Sequence, residues 1–396
     1  MDLLDLLLVL VVLLYAASGY RRGLVAGCVS LAGFVGGAAV GVWLLPWVTG
    51  LVARGTPQAT VVAVLTVLGP AVLGHELAGR LALRLRGELD RGPGALRVAD
   101  GVGGAAANSA AVLIVAWVAA SVLAAAPSQT LTTQIRNSTL LGAVQRTMPD
   151  TTPAWFSRAT SALTEAGFPQ VFNPFENEST AQVPRPTGDS VTPAAANAAK
   201  ASTVKIEGAA GNEGREGSGF VYAARHVMTN AHVVAGIDRP SVRIGGVGPS
   251  YPARVVLFDP DRDVAVLYVP RLRAPVLRFD GGAGRGDSAV VAGYPQDGGL
   301  NLQAATVAGR LRANGQNIYN DRVVTREIYQ VRSTVRPGNS GGPLLTTGGK
   351  VFGVVFARST SDAETGYALT AAEVAGDAAR AATATAPVDT GALVDS

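Results

Sequence analysis

One serine lies between glycines in the segment Val335–Leu345, which reads Val-Arg-Pro-Gly-Asn-Ser-Gly-Gly-Pro-Leu-Leu. A serine hydroxyl attacks a carbonyl only when a base takes its proton and hydrogen-bond donors meet the oxyanion that forms. A glycine-rich backbone can turn sharply and direct its N–H groups at one point beside the hydroxyl. Ser340 is therefore a candidate nucleophile, although a glycine-rich turn between two strands would have the same local sequence.

Two motifs that precede Ser340 supply a candidate base and a candidate acid. The sequence Thr-Asn-Ala-His ends in His232, and Asp263 directly precedes an aliphatic run. The chain order His, Asp, Ser is one that nucleophilic acyl transfer uses. Asp259 stands before a proline and suits a turn, whereas Asp263 is placed so that a buried strand can fix its carboxylate against an imidazole. The residues favour Asp263 and leave Asp261 as the alternative.

The motifs together resemble those of the trypsin-like, HtrA-related serine proteases. The resemblance covers the C-terminal half of the chain and rests on four motifs in order: Gly217–Phe220, Thr229–His232, Asp263–Ala265 and Gly338–Leu344. It implies an all-β chymotrypsin-like fold of two six-stranded barrels, with the active site between them. It further implies a catalytic triad of His232, Asp263 and Ser340, and an oxyanion hole formed by the backbone N–H groups of Gly338 and Ser340.

The same resemblance places the pocket for the substrate residue before the scissile bond. Its walls would be Ser333–Arg336 and Val354–Ala357, and its lining residues Thr334, Val355, Phe356 and Ala357. Neither wall contains an Asp or a Glu. We therefore expect a preference for a neutral residue of small or medium size.

The composition predicts a membrane part and excludes several kinds of site. Hydrophobic residues make up 48% of the 396-residue chain and charged residues 16%, with a mean hydropathy of +0.27. The net charge is +4, but the basic residues are mostly scattered arginines with no basic block, so no nucleic-acid partner is expected. The single cysteine, Cys28, cannot form an intrachain disulfide. The two histidines outside the apolar segments lack metal-ligand spacing, and we expect no metal or other cofactor.

Four apolar runs predict a transmembrane domain of four helices over residues 1–126. The runs are 3–18, 23–47, 57–83 and 102–126, and the acidic residues near the N-terminus argue against a cleaved signal peptide. Arginines are frequent between the first and second runs and between the third and fourth, whereas Arg54 is the only one between the second and third. The positive-inside rule then puts both termini and everything after Ala126 outside the cytoplasm, on the periplasmic side. Three glycines, Gly33, Gly37 and Gly41, share a helix face and predict close helix packing.

The rest of the chain divides into two segments. Residues 127–198 are expected to be an extracytoplasmic helical segment, with helices at 132–148 and 153–166, followed by a Pro-, Ser- and Ala-containing linker at 167–197. Residues 199–396 contain short apolar runs broken by Gly, Pro and Asp, and form the protease-like domain, closed by a helix at 371–382. This leaves no room for the PDZ domain of many HtrA relatives.

The whole architecture resembles a family of actinobacterial membrane-anchored acid-resistance serine proteases, whose N-terminal half is similar to the colicin V production family. That resemblance implies polypeptide substrates in the cell envelope and a role in acid stress. A different hypothesis is a membrane scaffold or transport component with a non-catalytic, protease-like binding domain. A further hypothesis is self-cleavage in the flexible linker or the tail, because exposed segments near a tethered protease are accessible to it.

Overall fold

The computed structural model describes residues 3–49, 57–85, 94–123, 134–135, 137–147, 171, 183–210, 213–359 and 362–393. These residues belong to two compact units, a helical one up to residue 147 and a β-rich one from residue 183 onward. The helix predicted at 153–166 and most of the predicted linker lie outside the described residues.

The helical unit contains the four predicted long helices: α1 (Leu3–Arg22), α2 (Leu24–Thr49), α3 (Pro57–Leu85) and α4 (Gly94–Leu123). Within the described residues, three stretches are long and apolar enough to cross a membrane: Leu4–Arg22, Leu24–Gly41 and Val98–Trp117. The glycine face of α2 packs on α3 as predicted. A Cβ atom at Gly37 would lie 2.0 Å from the carbonyl oxygen of Pro70, so only glycine permits this approach.

Helices α1 and α4 run antiparallel. Asn108 Nδ2 donates to the carbonyl of Tyr15 at 3.4 Å, and Gly104 packs against Gly19. The start of α4 therefore lies at the α1–α2 junction, where Asp100 Oδ1 accepts a hydrogen bond from the Leu24 N–H at 2.8 Å. The C-terminal end of α1, which carries Arg21 and Arg22, and the start of α4 are consequently at the same end of the helical unit.

The opposite end of this unit is marked by Asp5. Its buried carboxylate accepts hydrogen bonds from Ser138 Oγ at 2.6 Å and from Thr139 Oγ1 at 2.7 Å. Ser138 is the N-cap of a short helix, α5 (Thr139–Gln145), and so interrupts the longer helix predicted at 132–148. The start of α1 and the helix α5 thus lie at the same end of the helical unit.

A seven-stranded antiparallel sheet forms the first half of the β-rich unit. Its strands are β1 (Thr203–Ala210), β2 (Glu213–Ala223), β3 (His226–Thr229), β4 (Ser241–Ile244), β5 (Tyr251–Pro252), β6 (Arg254–Asp259) and β7 (Val264–Tyr268). They are ordered β5-β4-β1-β2-β3-β7-β6. The sheet curls around a core of small aliphatic residues such as Val204, Val227 and Leu267.

The second half is a closed six-stranded barrel. Its strands are β8 (Ser288–Gly293), β9 (Asn301–Gln316), β10 (Val323–Arg332), β11 (Pro343–Thr346), β12 (Val351–Arg358) and β13 (Thr365–Thr370). The all-β, trypsin-like fold class is confirmed, but the first half differs from the predicted six-stranded barrel: its described strands form a sheet with two edges, and it has seven strands because the two-residue strand β5 joins one edge. The predicted C-terminal helix is present at Ala371–Ala381.

The end of the predicted linker is a helix, which corrects that part of the sequence interpretation. Residues Pro193–Ser202 form α6, where Thr192 Oγ1 accepts the N–H of Ala195 at 3.1 Å and proline occupies the first turn. Ala195 and Ala199 are completely buried. Helix α6 therefore packs as part of the β-rich unit. The β-rich unit also contains the short helix α7 (Ala231–Val234) and the C-terminal helix α8 (Ala371–Ala381).

Candidate active site

His232 lies in α7, directly after the central strand β3, and its side chain is 9% exposed. Asp263 holds it at two points: Oδ2 lies 2.7 Å from the ring Nδ1, and Oδ1 accepts the backbone N–H of His232 at 2.9 Å. A carboxylate on Nδ1 requires the proton on that nitrogen. Nε2 is then the nitrogen with the free lone pair, as a general base requires.

Asp263 connects β6 to β7 in a strained backbone conformation. Its φ is +61°, in the left-handed region that residues other than glycine rarely adopt, and its side chain is completely buried. The side chain of Asn230 donates to its carbonyl oxygen at 2.8 Å. Strain and a buried carboxylate at one residue are typical of functional sites, because both cost free energy that the surrounding contacts must offset.

The other two aspartates of this loop face elsewhere. Asp259 Oδ1 accepts the backbone N–H groups of Asp261 and Arg262, at 3.0 and 2.9 Å. Asp261 pairs with Arg322 at 2.8 Å. Of the three carboxylates that the sequence offers, the one on the imidazole is that of Asp263.

Ser340 lies at the seam between the two halves of the β-rich unit and is 3% exposed. Its carbonyl oxygen accepts the N–H of Ser218, on β2, at 2.8 Å. The next residue, Gly341, has a φ of +82°, and a Cβ atom there would lie 2.2 Å from Thr229 Oγ1. The serine turn is thereby packed against the end of β3, three residues before His232.

Nε2 of His232 is buried and has no hydrogen-bond partner among the described residues. The structure therefore joins His232 to Asp263 directly and brings the Ser340 turn to the same seam, without a hydrogen bond between the imidazole and the Ser340 hydroxyl. Catalytic hydrogen bonds are often long before substrate binds and tighten in the complex.

The turn before Ser340 orients the two peptides of the predicted oxyanion hole. The carbonyl of Pro337 accepts the N–H of Gln296 at 3.0 Å, and that of Asn339 accepts the N–H of Gly342 at 3.0 Å. In a planar trans peptide the N–H points away from the carbonyl. The N–H groups of Gly338 and Ser340 therefore point away from these two partners. Gly338 itself has a φ of +92°.

Ser218 supports this turn and received no role from the sequence. Its hydroxyl donates to the carbonyl of Gly338 at 2.6 Å and accepts the N–H of Tyr294 at 2.9 Å. The available signal was its place in the Gly-Ser-Gly-Phe motif. Gln296 was also missed, since its contact joins segments about forty residues apart.

The predicted pocket residues lie beside the Ser340 turn. Val355 donates its N–H to Gly342 and accepts the N–H of Gly341, at 2.9 and 2.8 Å. The side chains of Val355, Phe356 and Ala357 are buried in the apolar core, while Thr334 is partly exposed. The neutral specificity expected of this pocket stays a prediction.

A charged cluster holds the segment that carries Gln296. The buried Lys205 ammonium contacts the carboxylates of Glu207 and Glu216, each at 3.4 Å, and that of Asp297. Burial alone would lower the pKa of Lys205. Its hydrogen bonds to Asp297 and Glu207 outweigh that effect, so the pKa of Lys205 is raised overall. The Lys205 hydrogen bond holds the pKa of Asp297 below its ordinary value.

The comparisons with known proteins agree with this geometry. Residues 217–354 match the trypsin-like peptidase domain family, and residues 4–149 match the colicin V production protein family. The chain is 36% identical to the serine protease Rv3671c of Mycobacterium tuberculosis over 99% of its own length and 98% of that protein.

Two matches that cover less of the chain are consistent with these families. A crystal structure of the Rv3671c protease in its active form is 43% identical and superposes with a TM-score of 0.53, over 57% of this chain and 99% of that one. A probable periplasmic, DegP-like serine endoprotease of Chlamydia trachomatis is 35% identical over 35% of this chain and 27% of that protein.

Proposed function

We propose that this chain, which belongs to the family of membrane-associated trypsin-like serine proteases, is an endopeptidase that cleaves polypeptides through an acyl-enzyme on Ser340. His232 Nε2 takes the hydroxyl proton as Oγ bonds to the scissile carbonyl carbon, and gives that proton to the leaving amine. Water then attacks the acyl-enzyme, with His232 again as the base. Asp263 keeps the ring in the required orientation and tautomer.

One observation carries this proposal: the buried Nε2 of His232 has no partner among the described residues and lies at the seam that holds the Ser340 turn, while Asp263 occupies the other ring nitrogen. A group held by one carboxylate and left with a single free lone pair is suited to proton transfer. The backbone N–H groups of Gly338 and Ser340 are the proposed oxyanion donors.

Cleavage of an unfolded protein substrate by the full-length chain tests this function. We expect Ser340→Ala to abolish cleavage. Ser241→Ala is the matched control, because its hydroxyl makes only a long 3.4 Å contact with the Glu207 carbonyl. Residual activity of Ser340→Ala within about tenfold of wild type would remove Ser340 from this role. If the wild type shows no cleavage in this assay, the result would favour the scaffold hypothesis.

The protease unit is proposed to lie on the periplasmic side of the cytoplasmic membrane. The arginines at one end of the helical unit support this orientation, and so does the name of the periplasmic chlamydial relative. Labelling with a membrane-impermeant maleimide provides the test in a Cys28→Ser background. Val247, 76% exposed, offers a position in the protease unit. Val247→Cys should react in intact spheroplasts, and Arg21→Cys only after permeabilisation; the reverse pattern would refute the orientation.

The proposed physiological role is proteolysis of envelope proteins during acid stress. Burial raises the pKa of Asp377, so the cost of burying its charge falls as the pH drops. Cells that lack the gene, complemented with wild type or with Ser340→Ala, should differ in survival and in cytoplasmic pH in acid medium. Equal survival would separate the protease from acid resistance.

We also propose that the enzyme cleaves its own chain. Its predicted sites lie in the linker, mostly outside the described residues, and in the tail. An active preparation that stays at full length during prolonged incubation would contradict it.

A further inference from the structure

Arg326 is the largest completely buried side chain among the described residues of the β-rich unit. It projects from β10 of the closed barrel, and its Nε donates to the carbonyl of Asp261 at 2.8 Å and its Nη2 to that of Gln316 at 3.1 Å. A buried guanidinium costs free energy unless fixed donors and charges compensate for it. Such a residue is therefore expected to hold something in place.

The segment that Arg326 contacts is the loop from Asp259 to Asp263, which belongs to the other half of the unit. The β9–β10 hairpin holds this loop at two more points. Asn317 Nδ2 donates to Asp261 Oδ1 at 3.0 Å, and the N–H of Ile318 donates to the carbonyl of Pro260 at 3.3 Å. Both Asn317 and Ile318 are buried, so these contacts exclude water.

The loop ends on the strained residue that binds the imidazole. Asp263 keeps its φ of +61° only if its surroundings determine that conformation. The Arg326 contact lies two residues ahead of it, close enough to transmit any displacement to the 2.7 Å contact with His232. The electrostatics also couple Arg326 to Asp263. Burial lowers the pKa of Arg326, and among the charges that oppose this shift the Asp263 carboxylate has the largest effect.

We propose that Arg326 is a positioning residue, which holds the 259–263 loop from the closed barrel so that the Asp263 carboxylate stays seated on His232. This inference rests on the proposed function, in which His232 is the general base. It makes the placement of the acid in one half depend on the half that carries Ser340. A separation of the two halves would then disengage the acid along with the nucleophile.

The charged groups near the Arg326 guanidinium are mostly carboxylates. Those of Asp263, Glu373, Asp261 and Asp259 act on it electrostatically. Two other guanidinium groups approach the same carboxylates: Arg262, which contacts Asp259 and Glu373, and Arg322, which contacts Asp261. Arg262 and Arg322 are about half exposed, so Arg326 is the buried cation of the set.

Three variants of the full-length chain in detergent test the proposal. Arg326→Met removes both the charge and the carbonyl contacts, and Arg326→Lys keeps the charge with a single donor group. Asp261→Ala removes the side-chain contacts of the loop with Asn317 and Arg322, and it leaves the buried Arg326 side chain and its backbone partner in place. Arg310→Met is the matched control, because Arg310 is 58% exposed and its nearest carboxylate, Glu327, is 3.8 Å away.

We measure kcat and KM for a peptide substrate, and the far-downfield proton resonance of the His232 Nδ1–H in 15N-histidine-labelled protein. We expect Arg326→Met to lower kcat by roughly 30-fold or more, with KM within threefold of wild type and the resonance shifted or lost, in line with effects of misplaced catalytic groups. Arg326→Lys should regain part of kcat, and Asp261→Ala should lower it by several-fold. Arg310→Met should match the wild type.

The proposal is overturned if a folded Arg326→Met keeps kcat within twofold of wild type and leaves the resonance unchanged. A role in stability alone would lower the unfolding temperature and leave both readouts unmoved. If Arg326→Met does not fold, an unchanged kcat and resonance in Asp261→Ala would overturn the proposal. The resonance reports the His232–Asp263 contact independently of activity. An inactive wild type would therefore contradict the proposed function, while the positioning role of Arg326 could still be tested by the resonance.

Discussion

The carboxylate of Asp263 makes two bonds to His232, and an amide in its place would change the proton on the ring. In Asp263→Asn, the amide oxygen must stay opposite the backbone N–H that Oδ1 now accepts at 2.9 Å, since an NH2 group there would face another donor. The amide NH2 then faces Nδ1, 2.7 Å from the present Oδ2. Nδ1 can accept this bond only without its proton, which therefore moves to Nε2. In that tautomer His232 cannot take the proton of Ser340.

We expect this substitution to slow labelling by a fluorophosphonate probe about 10⁴-fold, the cost of the wrong tautomer in such triads. That factor corresponds to about 5 kcal/mol of transition-state stabilisation. The assay is the second-order rate constant of phosphonylation of the full-length chain in detergent. Asp280→Asn makes the same chemical change on the surface, where the carboxylate pairs with Lys350 at 3.5 Å, and should leave the rate unchanged. An Asp263→Asn rate within tenfold of wild type would refute the reasoning.

Three further predictions concern the surroundings of the site. Ser218→Ala removes the hydroxyl that joins the Tyr294 N–H to the Gly338 carbonyl; it should lower kcat by roughly 10- to 100-fold with little change in KM, because the hydroxyl fixes the peptide between the two oxyanion peptides and does not touch substrate. A proportional rise in KM alone would contradict this. Gly341→Ala should cost several kcal/mol of unfolding free energy, about the upper range for single substitutions, since its Cβ would lie 2.1 Å from the Ser218 carbonyl oxygen at a φ of +82°; a denaturation midpoint equal to wild type would count against it. Burial raises the pKa of Asp377, so the folded state binds its proton more tightly than the unfolded state, and stability falls as pH rises from the unfolded to the folded pKa. Asp377→Asn should therefore raise the unfolding temperature at neutral pH and leave it unchanged in acid, whereas an equal effect at both pH values would exclude the titration.

The sequence predicts the parts of the site that short motifs encode. Ser340 and His232 are identified because their roles need particular neighbours within a few residues, and these neighbours are present. Asp263 is a preference from sequence alone, since three carboxylates lie within five residues and the choice depends on which one faces the imidazole. The hydrogen bonds from Asp263 to His232 are a tertiary property of two loops about thirty residues apart.

Contacts between distant segments are what the sequence does not supply. Nothing in the neighbourhood of Arg326 marks it as buried, because it stands in the polar run Thr325-Arg326-Glu327. The helix α6 was hidden for another reason: its alanine-rich sequence follows a proline-containing stretch and has the composition of a linker. Thr192 and Pro193 were the available signals, as a cap and a first-turn proline. Burial of Ala195 and Ala199 against the β-rich unit completes that helix.

The most direct measurement of the central claim is mass-spectrometric mapping of the fluorophosphonate adduct on the full-length chain. Our account predicts one adduct, on the peptide that contains Ser340, absent in Ser340→Ala and slowed at least about 1,000-fold in His232→Ala. An adduct on another residue, or undiminished labelling in His232→Ala, would contradict it.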